Sequence, residues 1–440
     1  MVRRTCSALV VATALAALFA APASAQAATA WSQFRGNPQG TSQAAVVGAQ
    51  SARPEPGFPA TIPVVSSTAG FAPGGVAVGA SGVAFVGQGA TLSAYSPSGK
   101  RFWTYNASTA GGDSPPNVTT PALSTSGSTV YALSVTFNLF TPTPSNLVAL
   151  NAATGALRWS APVGVLSTAV DTPQPTVTVG PNGSLYVAAN VAGTPGAGPA
   201  NSSGPITNAT VTDFSPYGGV NWSTVISGPV SGGPVLDTSG NVYVSVLGAA
   251  GGEVVALSPS GGLLWSTALG PQAAAGELGT APVVTPSGST VYVATKGPNG
   301  AIYALGTSDG AVLGVIGAGG LTGTPALSTR TGYLYASTPS SGLAALPSGG
   351  GSTVFTAGTV ATPGNVNAPA IGADGTVYAT NGDTLIAASG TTGAIKWSFT
   401  APTPSSELSS PAIGPSGDVY VTTDPLGQGT PQVFAFAGPP

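Results

Sequence analysis

The sequence predicts an all-β fold, a β-propeller of four-stranded blades, from three observations. A short unit returns eight times, its returns are 42 to 57 residues apart, and the composition suits stacked sheets. The clearest copies are Ala149-Leu-Asn-Ala-Ala-Thr-Gly-Ala-Leu-Arg-Trp159 and Ala387-Ala-Ser-Gly-Thr-Thr-Gly-Ala-Ile-Lys-Trp397. An aromatic residue in a strand-like run marks each return: Phe85, Tyr131, Tyr186, Tyr243, Tyr292, Tyr335, Tyr378 and Tyr420. Fixed-period self-similarity at this length, with several strands per unit, is the signature of propeller blades. The chain is 42% hydrophobic and 5% charged, against about 25% charged in typical domains. Sheets covered on both faces explain that bias, with solubility left to Ser, Thr, Asn, Gln and the backbone.

Each unit reads as four strands. The first is an apolar run such as Ser410-Pro-Ala-Ile413. A turn such as Gly180-Pro-Asn-Gly183 or Ala373-Asp-Gly375 follows, because Asn-Gly and Asp-Gly accept the backbone angles of tight hairpins. The second strand carries the Val-Tyr pair and the third is of the type Leu147 to Leu150. A Thr-Gly or Ser-Gly turn leads to a fourth strand that holds the Trp. β-branched and aromatic residues fit these pleated positions. Eight units predict eight blades, with seven as the alternative because the sixth copy degenerates at Pro347-Ser-Gly-Gly.

Three segments divide the chain. Residues 1–25 read as a secretory signal peptide, with basic Met1-Val-Arg-Arg4, an apolar run from Ala8 to Ala21 and the small-x-small site Ala23-Ser-Ala25. An uncleaved anchor is the alternative, disfavoured by the short run. Residues 26–56 form an N-terminal lead-in and residues 57–440 the propeller. The last unit stops after Val433-Phe-Ala-Phe436, one strand short, and Gly57 to Val65 precedes the first unit with no repeat of its own. This segment is expected to supply the missing strand and close the ring, protecting edges that would invite aggregation.

The pattern Ala-x-Asp-x-x-Thr-Gly-x-x-x-Trp resembles the repeats of the quinoprotein, or pyrroloquinoline quinone (PQQ)-like, propeller superfamily. Residues 149–159 match with Asn151 in the Asp position and residues 387–397 with Ser389 there. Copies ending at Trp103, Trp222 and Trp265 are one residue shorter, and Gly314 stands where the fifth copy should have Trp. Trp31-Ser-Gln-Phe-Arg-Gly-Asn-Pro38 is similar to the lead-in common in such proteins. The resemblance, which spans residues 31–440, implies that Trp103, Trp159, Trp222, Trp265 and Trp397 dock one blade onto the next. Large rigid rings bury much apolar area, and their N–H groups need a partner. It does not imply one function, because these repeats occur in dehydrogenases and in non-catalytic scaffolds.

The chemistry present narrows the choice. There is no histidine, and the one cysteine, Cys6, lies in the signal segment. Ser-His-Asp and Cys-His catalysis, imidazole or thiolate metal sites, disulfides and a lipid-anchor cysteine are therefore not expected in the mature chain. Gly306-Thr-Ser-Asp-Gly310 matches the nucleophile-elbow string in the wrong context and with no His to serve it. Removing Arg3 and Arg4 takes the net charge from −3 to −5, which disfavours nucleic acid and anionic membranes. An outer-membrane barrel would not give a repeat of this length. Asn106, Asn117, Asn182, Asn201, Asn208 and Asn221 head Asn-x-Ser/Thr sequons, which matter only in a glycosylating host.

Quinoprotein dehydrogenases carry a carboxylate base, a calcium site and, in many cases, an adjacent-cysteine disulfide. The mature chain cannot make the disulfide, and its acidic residues show no calcium-loop spacing. The expectation is a secreted, monomeric, non-catalytic binding or scaffold protein of the cell surface or envelope, without cofactor or metal. Its partners are expected to be proteins or cell-wall polysaccharide. The alternative is a PQQ-dependent oxidoreductase. Long second-to-third-strand connections, Thr136 to Ser145 and Asn190 to Thr210, mark one rim as a candidate binding face. Phe137, Leu139 and Phe140 are candidate partner-binding residues there, with packing against the ring as the alternative.

Overall fold

In the computed structural model, the described residues are 31–440 apart from 64–73, 108–115, 136–144, 165, 167–174, 192–207, 249–250, 270–279, 296–299, 318–320, 322, 339–341, 359–366, 403–406 and 425–428. They form eight separate four-stranded antiparallel units, the blades of one propeller. We number blades 1 to 8 by their first strands: Val76–Val78, Ala122–Leu123, Thr178–Val179, Val230–Leu236, Val283–Val284, Ala326–Leu327, Ala370–Ile371 and Ala412–Ile413. Blade 7 shows the plan: Thr376–Asn381 pairs with Ala370–Ile371 on one side and Thr384–Ser389 on the other, and Ile395–Thr400 lies outermost. In blade 3 the second and third strands, Leu185–Val191 and Asn208–Phe214, run further into the predicted connection because pairing continues to Val191 and Asn208.

The ring closes with the N-terminal segment. Ala60–Thr61 pairs antiparallel with Gln432–Phe436, Ala60 facing Val433 and Thr61 facing Gln432. The pairing starts before residue 57. Glu55 N–H donates to the Ala435 carbonyl and Ala437 N–H to the Arg53 carbonyl, at 2.9 Å each. Ile62 N–H, further along, reaches the Pro431 carbonyl at 2.9 Å. Phe58 then stands edge-on to Tyr420, with centroids 5.9 Å apart.

That ring pair repeats what five of the other blades do with Trp. Tyr131 and Trp159, Tyr243 and Trp265, and Tyr378 and Trp397 lie 5.8 to 5.9 Å apart by centroid. The indole N–H then crosses to the neighbouring blade. Trp103 donates to the Ala152 carbonyl, Trp159 to Pro216, Trp222 to Pro259 and Trp265 to Thr307, at 2.8 to 3.1 Å. Trp397 differs: its N–H goes to Ala49 of the lead-in at 3.1 Å, while its ring packs on Phe436 of blade 8. Each accepting turn contributes a glycine beneath the ring. A Cβ on Gly155 would lie 2.5 Å from Trp103, and one on Gly310 2.5 Å from Trp265. The Thr-Gly of the repeat thus meets two demands, a left-handed backbone and a bare Cα.

Blade 6 is complete, which settles the count at eight. Phe355 pairs with Ala345, as Trp397 does with Ala387, and takes the Trp position above Gly393. Blade 5 leaves the position empty: a Cβ on Gly314 would meet nothing within 4 Å, nor would one on Gly349 or Gly350 of the facing turn. Around it Val312, Leu313 and Val315 are exposed. Gly314→Trp is therefore expected to stabilise the fold by about 1–2 kcal/mol, through buried apolar area and strand preference. A denaturation midpoint that falls or stays put would show that no slot awaits the ring.

The lead-in makes one circuit of the ring centre. The last residue of the first strand of blades 1 to 7 donates its N–H to it in turn: Val78 to the Trp31 carbonyl, Leu123 to Ser32, Val179 to the Gln33 side-chain Oε1, Leu236 to Pro38, Val284 to Gln39, Leu327 to Thr41 and Ile371 to Ser42. All seven bonds measure 2.7 to 3.0 Å. The chain leaves between blades 7 and 8, where Tyr378 OH and Trp397 N–H both donate to Ala49. A bare innermost edge would leave these donors unpaired at the centre of the protein, which costs about 1–3 kcal/mol for each buried group.

Candidate functional site

The lead-in divides the ring centre into two spaces. The larger, a cavity of about 870 Å³, opens at the rim formed by the turns between first and second strands. Its floor is lead-in, including Ser32, Gln33, Asn37 and Gln43, and its wall includes Ser124 to Gly127, Pro181 and Thr329. The volume suits a ligand pocket. No Asp, Glu, Lys or Arg lines it, so it offers hydroxyls, amides and carbonyls but no general acid or base. Gln43 is already committed, accepting from Thr329 N–H and hydroxyl at 2.7 and 2.9 Å. Trp31 is 4% exposed and gives no free ring face. The smaller space lies on the axis and is lined by residues that include Trp31, Arg35, Ser42, Thr120 and Ser410.

The larger cavity was not foreseen from the sequence. Connection lengths pointed to the opposite rim, where second strands turn into third strands and blades join. Phe137, Leu139 and Phe140, the candidates named from the sequence, lie outside the described residues, as do most of the blade-to-blade links. The signal for the cavity was Trp31 to Pro38, whose carbonyls and amide side chain become the hub contacts.

Ionisable groups lie mostly in turns. Asp237 accepts from Ser239 and Asn241 N–H, from the Asn241 amide and from Tyr243 OH, which makes it a turn-former. The Tyr243 hydroxyl is correspondingly pushed well above its ordinary range by burial and by Asp237. Asp374 pairs with Lys396 at 3.2 Å. Burial works against its ionisation, yet hydrogen bonds from Thr376 and the Lys396 ammonium hold its carboxyl below the ordinary value. No group of three or more His, Cys, Asp or Glu suited to a metal occurs among the described residues.

These features bear on a quinone cofactor, which this fold accommodates in some proteins. PQQ is a planar tricarboxylate and needs cationic groups and an open face for stacking. The larger cavity has neither, and the axial one admits about a single water-sized sphere. The described residues do not fit the group.

Comparison with known proteins agrees with this architecture. A family model described as "Outer membrane protein assembly factor BamB" matches residues 207–313 and 298–429. Among solved structures, quinohemoprotein alcohol dehydrogenase from Comamonas testosteroni aligns over 94% of this chain and 82% of its own, at 14% identity and TM-score 0.63. A europium-containing methanol dehydrogenase aligns over 93% and 98%, at 12% identity and TM-score 0.65. BamB from Moraxella catarrhalis aligns over 80% and 91%, at 18% identity and TM-score 0.54. At these identities the structural likeness is one of fold. No curated protein matches the chain.

Proposed function

The chain belongs to the PQQ-like propeller family described as outer membrane protein assembly factor BamB, and from that premise we propose that it is a secreted, non-catalytic scaffold of the cell envelope that binds protein partners. One observation carries the reading: the large cavity at the ring centre is walled by neutral groups alone. Such a wall offers hydrogen bonds to a partner's backbone and polar side chains, and provides no acid or base to activate its hydroxyls. A polysaccharide partner is favoured less, because saccharide sites profit from open aromatic faces and Trp31 is covered.

A thermal melt of the chain from Gln26, with and without PQQ plus calcium, tests the reading. The expected result is no shift at saturating cofactor. A melting temperature that climbs with cofactor concentration follows binding linkage and would move the protein to the oxidoreductases. In-cell crosslinking from the turn residues Ser126 and Thr329 should trap envelope proteins; crosslinks confined to the protein itself would count against a scaffold.

A further inference from the structure

Blade 5 lacks the ring that its neighbours carry, and the space for that ring is still there. Tyr292, Ala304 and Gly314 face one another across three strands. They form the same row as Tyr131, Ala149 and Trp159 in blade 2 and Tyr378, Ala387 and Trp397 in blade 7. The turn Pro347 to Gly350 of blade 6 meets this row as the turn Ser215 to Gly218 meets Trp159. Gly350 N–H donates to the Pro347 carbonyl and Gly218 N–H to the Ser215 carbonyl, at 3.0 Å each. Tyr292 OH donates to the Ser348 carbonyl at 3.2 Å, and Tyr131 OH to the Pro216 carbonyl at 3.5 Å. The turn is therefore in place, and only the ring between is missing.

The gap has room for a ring. Where a ring is present, a Cβ on the turn glycine would lie 2.4 to 2.9 Å from it, as at Gly155, Gly218, Gly261, Gly310 and Gly393. A Cβ on Gly350 would meet nothing within 4 Å, and the same holds for Gly314 on the other side of the gap. Tyr292 is 6% exposed and Ala304 7%, where Tyr131, Tyr243 and Tyr378 are at most 1% and Ala149, Ala256 and Ala387 are 0%. An acceptor is also in position. In blades 2 and 7 one carbonyl, of Pro216 or Ala49, takes both the Tyr hydroxyl and the indole N–H. The Ser348 carbonyl holds the Tyr292 hydroxyl and, like any carbonyl, has a second lone pair. Beside the gap, Val312, Leu313 and Val315 are exposed on the outermost strand, Val312–Gly317, which contains only Val, Leu, Ile and Gly.

We propose that the gap between blades 5 and 6 is a docking socket for an aromatic side chain, tryptophan above all, presented by an apolar segment of a partner protein. The ring lies against Ala304, Gly314 and Gly350 beside Tyr292, and its indole N–H donates to the Ser348 carbonyl. The occupant is read from the chain itself, which fills the equivalent position with Trp in five blades and with Phe355 in blade 6. A large rigid ring with one directed donor is the side chain that this position is shaped for. Exposed Val312, Leu313 and Val315 receive the residues next to it, and an aromatic anchor seated in a slot among apolar neighbours is a common way to hold a protein partner. This deepens the scaffold reading with a second docking place, away from the ring centre, and rests on that reading only for the partner's being a protein.

Two measurements on the mature protein test the socket. N-acetyl-tryptophanamide at millimolar concentration should give saturation-transfer NMR signals from its indole ring, and Gly314→Trp, which fills the gap from within, should remove them. Crystals soaked in bromoindole should show an anomalous peak between Tyr292 and Gly350; this needs no variant and decides the matter if Gly314→Trp does not fold. Indole signals that survive Gly314→Trp, a gap without bromine, or a side chain of this chain already lying in it would overturn the socket. Photo-crosslinking from Leu313 in cells tests the occupant. The captured peptide should belong to another protein, carry Trp or Phe, and disappear with Gly314→Trp. Capture of a second copy of this chain, or of a peptide without an aromatic ring, would overturn the assignment. The indole measurements hold whatever the central cavity binds, so an empty socket and a failed scaffold reading give different results.

Discussion

Deleting residues 53–63 should yield aggregated protein, or protein melting far below wild type. The outer edge of Gln432–Phe436 loses its partner, and an unpaired apolar edge strand is a template for another chain. The loss also exposes what the segment covers. Phe58 is 8% exposed and Ile62 fully buried, and burying two such side chains stabilises by roughly 3–6 kcal/mol. Whole domains are stable by about 5–15 kcal/mol, so the deletion removes a large share before any backbone pairing is counted. A synthetic peptide of residues 53–63 should restore monomers when added in trans. Size-exclusion chromatography and melting curves read the result, and a monomeric deletion with the wild-type transition would disprove closure by this segment.

The second large effect is expected at the turn glycines. Gly155 has φ 73°, and an added Cβ would sit 2.5 Å from the Trp103 ring. Gly155→Ala should therefore cost about 2–5 kcal/mol, combining a left-handed alanine with overpacking against the indole. Gly127 is the control. Its φ is 69°, yet a Cβ there would meet nothing within 4 Å. Gly127→Ala should lose only the backbone component, about 1–2 kcal/mol. Paired denaturation curves separate the two contributions. Equal losses would mean that these glycines serve turn geometry alone and that blade docking does not need the bare Cα.

These two sites also show what was legible in the sequence. The Trp and Gly positions recur at fixed offsets, so blade architecture and closure followed from periodicity and from one missing strand. Phe355 escaped because the sixth turn lacks the Thr-Gly signature, although it lies ten residues beyond Ala345, the separation of Trp159 from Ala149 and Trp397 from Ala387. The ring centre was not legible. Carbonyls of Ser32, Pro38, Gln39, Thr41 and Ser42 do the binding there, and a carbonyl carries no side-chain signature. Arg35 was one more basic residue of the N-terminal segment, and only the folded ring shows it isolated from every described carboxylate.

Stacked-repeat proteins often gain or lose a unit, because each repeat touches only its neighbours. The lead-in restricts that freedom here. Twelve residues, Trp31 to Ser42, meet seven innermost strands in sequence order, like a gauge cut to one circumference. Losing any of these seven blades would strand a lead-in acceptor. Outer strands and connections can therefore vary blade by blade, while the loss of any of those seven blades is opposed by a segment outside the repeats.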